Sequence, residues 1–436
     1  MNILYLFYRV LTVFLFSLLV FPFFLFIMIT GKYRKHLDER FGFIPCKRLK
    51  YFSKEPKIWI HAVSLGEIKV ANSIVHSVKE LIPGCSILLS TTTEHGRNLG
   101  VELLGEKVPV IYSPVDIFFS VKKSLRLVNP DVLIFLETEI WPSWIIEAGR
   151  AGVKIVLLNG RISRRSFTSY LRLKPFLRNI LSSFHSLSMI SEEDKKRITL
   201  IGADPEKTVV NGNAKYDMLI NQTAPGMNKD IRKKLQIDLD APIIVAGSTR
   251  TGEETILLKA FSDIIKHFPD VVMIIAPRHL ERVKDIVLLL QKNRLGYHLK
   301  SELGVPGTIR KNNILIIDSY GELFNIYSVA SIAFCGASLV PLGGQNPMEP
   351  AAWGATVFHG PYMNDFLDAM DLLKKYDASV EVTGHDDFAE KAVYFLHNPD
   401  LLRQKGMAAK TALVDSQDAS KKHASVVAAV LHNSNI

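Results

Sequence analysis

Along most of the chain, short apolar runs rich in Ile, Val and Leu alternate with longer polar and amphipathic stretches. Runs of four to six such residues bounded by turn residues read as strands buried on both faces. In the first half they fall at Ile58–His61, Ser86–Ser90, Val108–Tyr112, Val132–Leu136, Lys154–Leu158, Leu187–Ser191 and Thr208–Asn211. A second series follows at Ile243–Ala246, Val271–Ala276, Ile314–Asp318, Ile332–Cys335 and Thr356–His359. Alternating β and α predicts parallel sheets with helices on both faces. Between the series, Asn221 to Ala241 is polar and charged, with Pro225-Gly226, and reads as a linker with some helix. From about Leu401 the chain is rich in Ala and Lys and reads as helical.

The first thirty residues follow another rule. Val10 to Thr30 carries no charge and is dominated by Phe, Leu, Val and Ile. As a helix, ~20 such residues rise ~30 Å, the thickness of a bilayer core. No small-residue cleavage site follows, so a retained anchor is expected, with Pro22 marking a kink or a shallow insertion. The following flank holds Lys32, Arg34, Lys35, Arg40, Lys47, Arg48, Lys50, Lys54 and Lys57. By the positive-inside rule the body then faces the cytoplasm, against an anionic inner-membrane surface.

A length of 436 residues exceeds what one core usually fills and predicts two domains. The expected plan is an anchor over 1–30, a Rossmann-like domain over 31–221, a linker over 222–241, a second Rossmann-like domain over 242–400 and a helical tail over 401–436. The fold class is α/β, with two such domains facing a cleft. The formal net charge of +10 suggests a polyanionic neighbour. Cys46, Cys85 and Cys335 have neither metal-finger nor redox spacing. Asp238 and Asp240 precede a strand and read as a solvated loop, so no metal site is expected.

In doubly wound sheets, ligands gather beyond the carboxyl ends of the strands, and chemically capable residues cluster at those points. HAVSLGE (His61–Glu67) runs from a strand into a helix start. Its Glu67 could serve as a general base or merely cap the helix, with Ser64 and Gly66 beside it. ETEIWP (Glu137–Pro142) puts two carboxylates, Glu137 and Glu139, after a buried strand. NGRIS (Asn159–Ser163) opens an acid-free stretch between Glu147 and Glu192 that holds Arg161, Arg164 and Arg165 among aromatics. That mixture suits a phosphorylated lipid; nucleic acid or a solvated basic face would also accommodate it. Lys215, in GNAKYD, could neutralise a leaving phosphate or carboxylate, or be an ordinary surface lysine.

The second half carries nucleotide-type loops. AGSTRTGEE (Ala246–Glu254) presents small residues, Ser248 and Thr249, at a strand end. APRH (Ala276–His279) places Pro277 and Arg278, the latter suited to gripping phosphate. Tyr320, Gly321 and Glu322 open a helix. SLVPLGGQNPMEPAAWG (Ser338–Gly354) brings Gly343 and Gly344 close to a ligand, starts a helix near Pro347, and sets Asn346, Met348 and Glu349 for donor contacts.

In this order and combination, the motifs resemble the 3-deoxy-D-manno-octulosonic acid (Kdo) transferases of lipopolysaccharide biosynthesis, glycosyltransferases of GT-B fold. The resemblance covers nearly the whole chain. It implies CMP-Kdo as donor, a phosphorylated lipid A precursor (lipid IVA) as acceptor, inversion at the sugar carbon, and no cofactor or catalytic metal. It implies Glu67 as general base, and Glu137 and Lys215 as transition-state stabilisers. Pro277, Arg278, Tyr320 to Glu322 and Asn346 to Glu349 match its CMP-binding segments. Gln345 stands where the family usually has His, which removes a titratable group. Members add one to several Kdo units. Three rivals remain: a UDP-sugar transferase of the same architecture, a tethered solute-binding protein, and a nucleic-acid binder, the last disfavoured by the anchor.

Overall fold

The computed structural model describes residues 3–31, 36–305 and 307–432. Of the basic flank, Lys32, Arg34 and Lys35 lie outside the described residues. The chain forms two compact units. The first comprises Met1–Asp217 with Asp418–Ile436, and the second Met218–Gln417.

In the first unit the strands are β1 (Lys57–His61), β2 (Ser86–Thr91), β3 (Val110–Tyr112), β4 (Val132–Leu136), β5 (Lys154–Gly160), β6 (Ser186–Met189) and β7 (Thr208–Val210). They form one parallel sheet in the order β3-β2-β1-β4-β5-β6-β7. Successive side chains on a strand face opposite ways, which explains why these runs must be apolar throughout. Trp59, Leu133, Phe135, Ile155 and Leu157 fill one core. Their neighbours Ile58, Ile60, Val132, Ile134, Val156 and Leu158 fill the other.

The second unit repeats the plan with β8 (Ile243–Thr249), β9 (Val272–Pro277), β10 (Tyr297–Leu299), β11 (Ile314–Ile316), β12 (Ile332–Cys335), β13 (Thr356–His359) and β14 (Ser379–Glu381). The order is β10-β11-β9-β8-β12-β13-β14, again parallel throughout. Each sheet reverses its winding once, between β1 and β4 in the first and between β8 and β12 in the second. By the general rule for such sheets, those are the ligand-binding crevices.

Two stretches depart from the expected plan. The segment read as a linker carries the helix Met227–Lys234. Ile231, Leu235 and Ile237 bury themselves with β8 in the second unit's core. The segment read as a single tail divides. The helix Pro399–Asp415 stays with the second unit, while Ala419–His432 returns to the first. There Ala419, Ala424 and Val427 join the core that includes Ile68, Ala71 and Val75 of the helix Leu65–Leu81.

The apolar amino-terminal segment is a helix, Ile3–Thr30, that runs through Pro22. Only Tyr5 and Ile27 of its residues are buried. Its first half lies on the first unit through one face, with residues three and four apart in line. The Tyr5 hydroxyl donates to Glu147 at 3.0 Å and the Tyr8 hydroxyl to Asp116 at 2.6 Å. Arg9 covers the Phe118 ring, and Phe16 meets Phe41 and Phe119 edge-on.

Candidate functional site

At the first reversal point, β1 ends at His61 and the helix Leu65–Leu81 begins four residues later. Ser64 accepts a hydrogen bond from the Glu67 amide at 3.2 Å. Glu67 reaches back, accepting from the Val63 amide at 2.8 Å and from the Ser64 hydroxyl at 2.8 Å. The reciprocal pair is a capping box, encoded by Ser-x-x-Glu. Capping and base therefore are not exclusive readings, because the cap fixes the carboxylate at the strand end. Glu67 is 6% exposed. Burial raises its pKa above the usual carboxylate range and the charge of Glu137 adds to this, against the hydrogen bonds from Val63 and Ser64.

Glu137 follows β4 directly. Its backbone sits in the left-handed region, φ 54°, a strained conformation for a residue with a Cβ. Two bonds hold it there: its amide donates to Leu158 at 3.1 Å and its carbonyl accepts from the Arg161 amide at 3.4 Å. The Lys215 ammonium lies 2.5 Å from its Oε1. Lys215 is placed by two backbone amides, its own and the preceding one. The Ala214 amide donates to Asn159 Oδ1 at 2.9 Å, and the Lys215 amide to Asn213 Oδ1 at 3.1 Å. The structure thus brings Ser64, Gly66, Glu67, Glu137 and Lys215 to one edge of one sheet. Arg161 joins them through its backbone. Arg164 and Arg165, both exposed, stand in the first turn of the helix Arg164–Arg172, capped by Ser163.

Glu139 received no role from the sequence beyond sharing a motif with Glu137. The Trp141 indole donates to it at 2.5 Å. Burial is the main reason its carboxyl is held at about 7; the charges of Glu67 and Glu137 add, and the indole opposes. Among the described residues, no group of three or more His, Cys, Asp or Glu stands as a metal-binding set.

In the second unit the expected donor residues all follow carboxyl ends of strands. Ser248, at φ 54°, and fully buried Thr249 close β8. Pro277 closes β9, and the Arg278 amide donates to the Thr249 carbonyl at 3.1 Å, leaving the exposed Arg278 side chain beside the β8 end. The Gly-Gly turn is held at both glycines: the Gly344 amide donates to Ala337 at 2.9 Å and the Gly343 carbonyl accepts from Asp365 at 2.9 Å. A Cβ on Gly344 would meet Met363 Sδ at 2.4 Å. Asn346 accepts from the Met348 amide at 3.1 Å and donates to Glu349 at 3.4 Å, opening the helix Met348–Ala352 with Pro347 as its cap. Tyr320 is exposed and Gly321 takes φ 83°. The Glu322 carboxylate is already engaged by Lys300 at 2.5 Å, Ser319 at 2.7 Å and Lys234 at 3.3 Å. Partial burial pushes Glu322 up, but these partners outweigh it and hold the group at about 2.

One residue of the AGSTRTGEE motif, assigned no role from the sequence, is central to this unit. Glu253, fully buried, accepts from the amides of Ala337, Ser338, Leu339 and Arg250 at 2.7–2.9 Å. It ties the end of β8 to the end of β12 across the second reversal point. Its sequence signal was an acid in the first helical turn after a strand, which is also how an ordinary cap looks.

Residues 35–218 match the model of a family described as 3-deoxy-D-manno-octulosonic-acid transferase (kdotransferase). The chain is 31% identical over 396 residues to a 3-deoxy-D-manno-octulosonic acid transferase of Haemophilus influenzae, with 90% of each covered. It is 34% identical over 372 residues to a bifunctional glycosyltransferase/methyltransferase of Fusobacterium nucleatum, covering 84% of this chain and 57% of that longer protein. A solved glycosyltransferase from Rickettsia africae superposes with a TM-score of 0.60 at 17% identity, covering 86% of this chain and 98% of that one. That likeness is one of fold, two parallel α/β units of the GT-B kind.

Proposed function

This chain belongs to the 3-deoxy-D-manno-octulosonic acid (Kdo) transferase family and is a glycosyltransferase, and from that premise we propose that it moves Kdo from CMP-Kdo to a hydroxyl of the phosphorylated lipid A precursor, lipid IVA, in lipopolysaccharide biosynthesis. The observation that carries the reading is the group at the end of β1 and β4, a capped, buried Glu67 beside the Glu137–Lys215 pair.

The acceptor hydroxyl gives its proton to the Glu67 carboxylate as its oxygen bonds to the anomeric carbon. The bond from that carbon to the CMP phosphate breaks, and the electron pair leaves with CMP. Attack opposite the leaving group inverts the centre. Burial suits Glu67 to the task, since a raised pKa makes a stronger base. Lys215 offers positive charge to an acidic sugar and its phosphate, and Glu137 holds that ammonium in place beforehand. This chemistry draws on no metal. The second unit's loops receive the nucleotide: backbone amides at the end of β8, Arg278 on phosphate, and the turn from Gly343 to Glu349 on the nucleoside. Arg161, Arg164 and Arg165 suit the acceptor's phosphates.

The helix Ile3–Thr30 serves as anchor to the inner membrane, the body on the cytoplasmic side. Its docking by Tyr5, Tyr8, Arg9 and Phe16 leaves a face of exposed Phe and Leu, which favours a helix lying in one leaflet.

A mass spectrum of the lipid product tests the function. Detergent-solubilised protein with CMP-Kdo and lipid IVA should yield increments of whole Kdo residues, and their number counts the sugars added. No increment from folded protein and intact donor would overturn the reading and turn attention to UDP-sugar donors.

A further inference from the structure

The returning helix Ala419–His432 presents an apolar face to the first unit's core, yet His423 stands on that face with no exposure. A leucine would fill such a place without any polar requirement. An imidazole there must satisfy two ring nitrogens, and both have partners. Nε2 lies 3.1 Å from the Gly212 carbonyl, and Nδ1 lies 2.8 Å from Ser188 Oγ. A carbonyl only accepts, so Nε2 carries the proton. Burial holds the ring at about 4, so it is neutral and Nδ1 accepts from the Ser188 hydroxyl. The Ser188 oxygen in turn accepts from Asn211 Nδ2 at 2.7 Å.

The bonds therefore run in one direction, from Asn211 to Ser188 to His423 to Gly212. They start and finish on a single turn, the one that leads into Lys215. Beyond Lys215, Asp217 accepts from the Ala419 amide at 3.3 Å and from the Ser420 amide at 2.7 Å. Lys215 is thus bracketed, three residues before and two after, by contacts to the same helix. Ser420 also meets Ser73 of the Glu67-bearing helix, Oγ to Oγ, at 2.7 Å.

We propose that His423 is a positioning residue for Lys215, closing the Asn211–Gly212 turn so that the ammonium is delivered to Glu137 and to the anionic donor. This rests on the role given to Lys215 above and extends it to a residue more than two hundred positions away.

The test is a double-mutant cycle on the full chain, with CMP-Kdo and lipid IVA, comparing His423→Leu, Lys215→Met and the two combined, with His423→Gln as the conservative variant. His423→Leu should lower kcat about tenfold, the scale of one placing hydrogen bond, and His423→Gln, which keeps an N–H for Gly212, should recover most of it. With Lys215 already replaced, His423→Leu should cost nothing further, since its effect passes through Lys215. An undiminished loss on the Lys215→Met background would overturn the inference, because a general structural defect multiplies. So would wild-type kcat in His423→Leu while Lys215→Met is impaired. Full turnover in Lys215→Met would instead overturn the role of Lys215 itself, and the inference with it. If His423→Leu does not fold, Ser188→Ala takes its place in the cycle with the same expected outcomes.

Discussion

Lys215 Nζ stands 2.5 Å from Glu137 Oε1, and Glu137 reaches it from a left-handed backbone position. The residues are 78 positions apart and come from different strand ends. Glu137 is kept in its strained conformation by Leu158 and Arg161, and Lys215 by Asn159 and Asn213. The pair is therefore assembled by the fold before any substrate arrives. Such preorganisation gives a charge its value in a transition state, because nothing has to reorient when the charge develops.

Glu67→Gln separates chemistry from capping. Gln at this position of a capping box still accepts from the Val63 amide, so the melting temperature should move little. Turnover should fall by roughly 10²–10⁴-fold, the usual range for a lost general base. Ser64→Ala should instead cost ~1 kcal/mol of stability. Product assays beside thermal melts separate the two.

The pH profile follows from the sign of the Glu67 shift. If Glu67 is the base, as proposed, it works ionised, so turnover should fall as pH drops through its pKa, and burial places that fall above the range of an ordinary carboxylate. The acid limb of kcat/KM should move toward lower pH in Glu137→Gln, because one of the charges that raises Glu67 is gone. A limb that stays in place would separate Glu137 from the base.

Glu139 predicts a stability effect. Its folded value, about 7, lies above the ordinary 4.5, so the folded protein binds this proton more tightly than the unfolded chain. The contribution is fully present below the unfolded value and is lost as pH rises from there through 7. Glu139→Gln should therefore lose less thermal stability than wild type between about pH 5 and about pH 8, as melts in a buffer series would show.

Glu253→Ala should be the most damaging single change in the second unit. It leaves the amides of Arg250, Ala337, Ser338 and Leu339 without their acceptor in a buried place. A loss of about 3–5 kcal/mol is expected, measured by denaturant unfolding. CMP affinity should fall too, since the loops after β8 and β12 lose their tie; calorimetry would read this.

Much of this arrangement was legible in the sequence because a parallel strand covered on both faces has to be apolar along its whole length. That requirement marked β1, β4 and β12 to within a residue at each end and β8 from its start to Ala246, three residues short of Thr249, and the residues after each run followed as candidates. The edge strands β10 and β14 escaped notice: at three residues each, and mostly half-exposed, they show no apolar run. The Ser64–Glu67 cap could be read from spacing alone. The environment of Glu139 could not, because its burial and the added charge of Glu67 arise only once distant segments are brought together by strand pairing. The same holds for His423, whose partners Ser188 and Gly212 lie on other elements, and whose neighbours in sequence suggest only an Ala-rich helix.

The first unit is interrupted in sequence, since the whole of Met218–Gln417 is inserted ahead of Asp418. A ribosome making this chain therefore completes the second unit before it supplies the residues that finish the first. Domains tend to fold as they emerge, but here the earlier one waits, its core open along the helix Leu65–Leu81 and the turn before Lys215 unfastened until residues 418–432 appear. A nascent chain would thus remain without a fastened Lys215 until synthesis had passed the nucleotide-type loops.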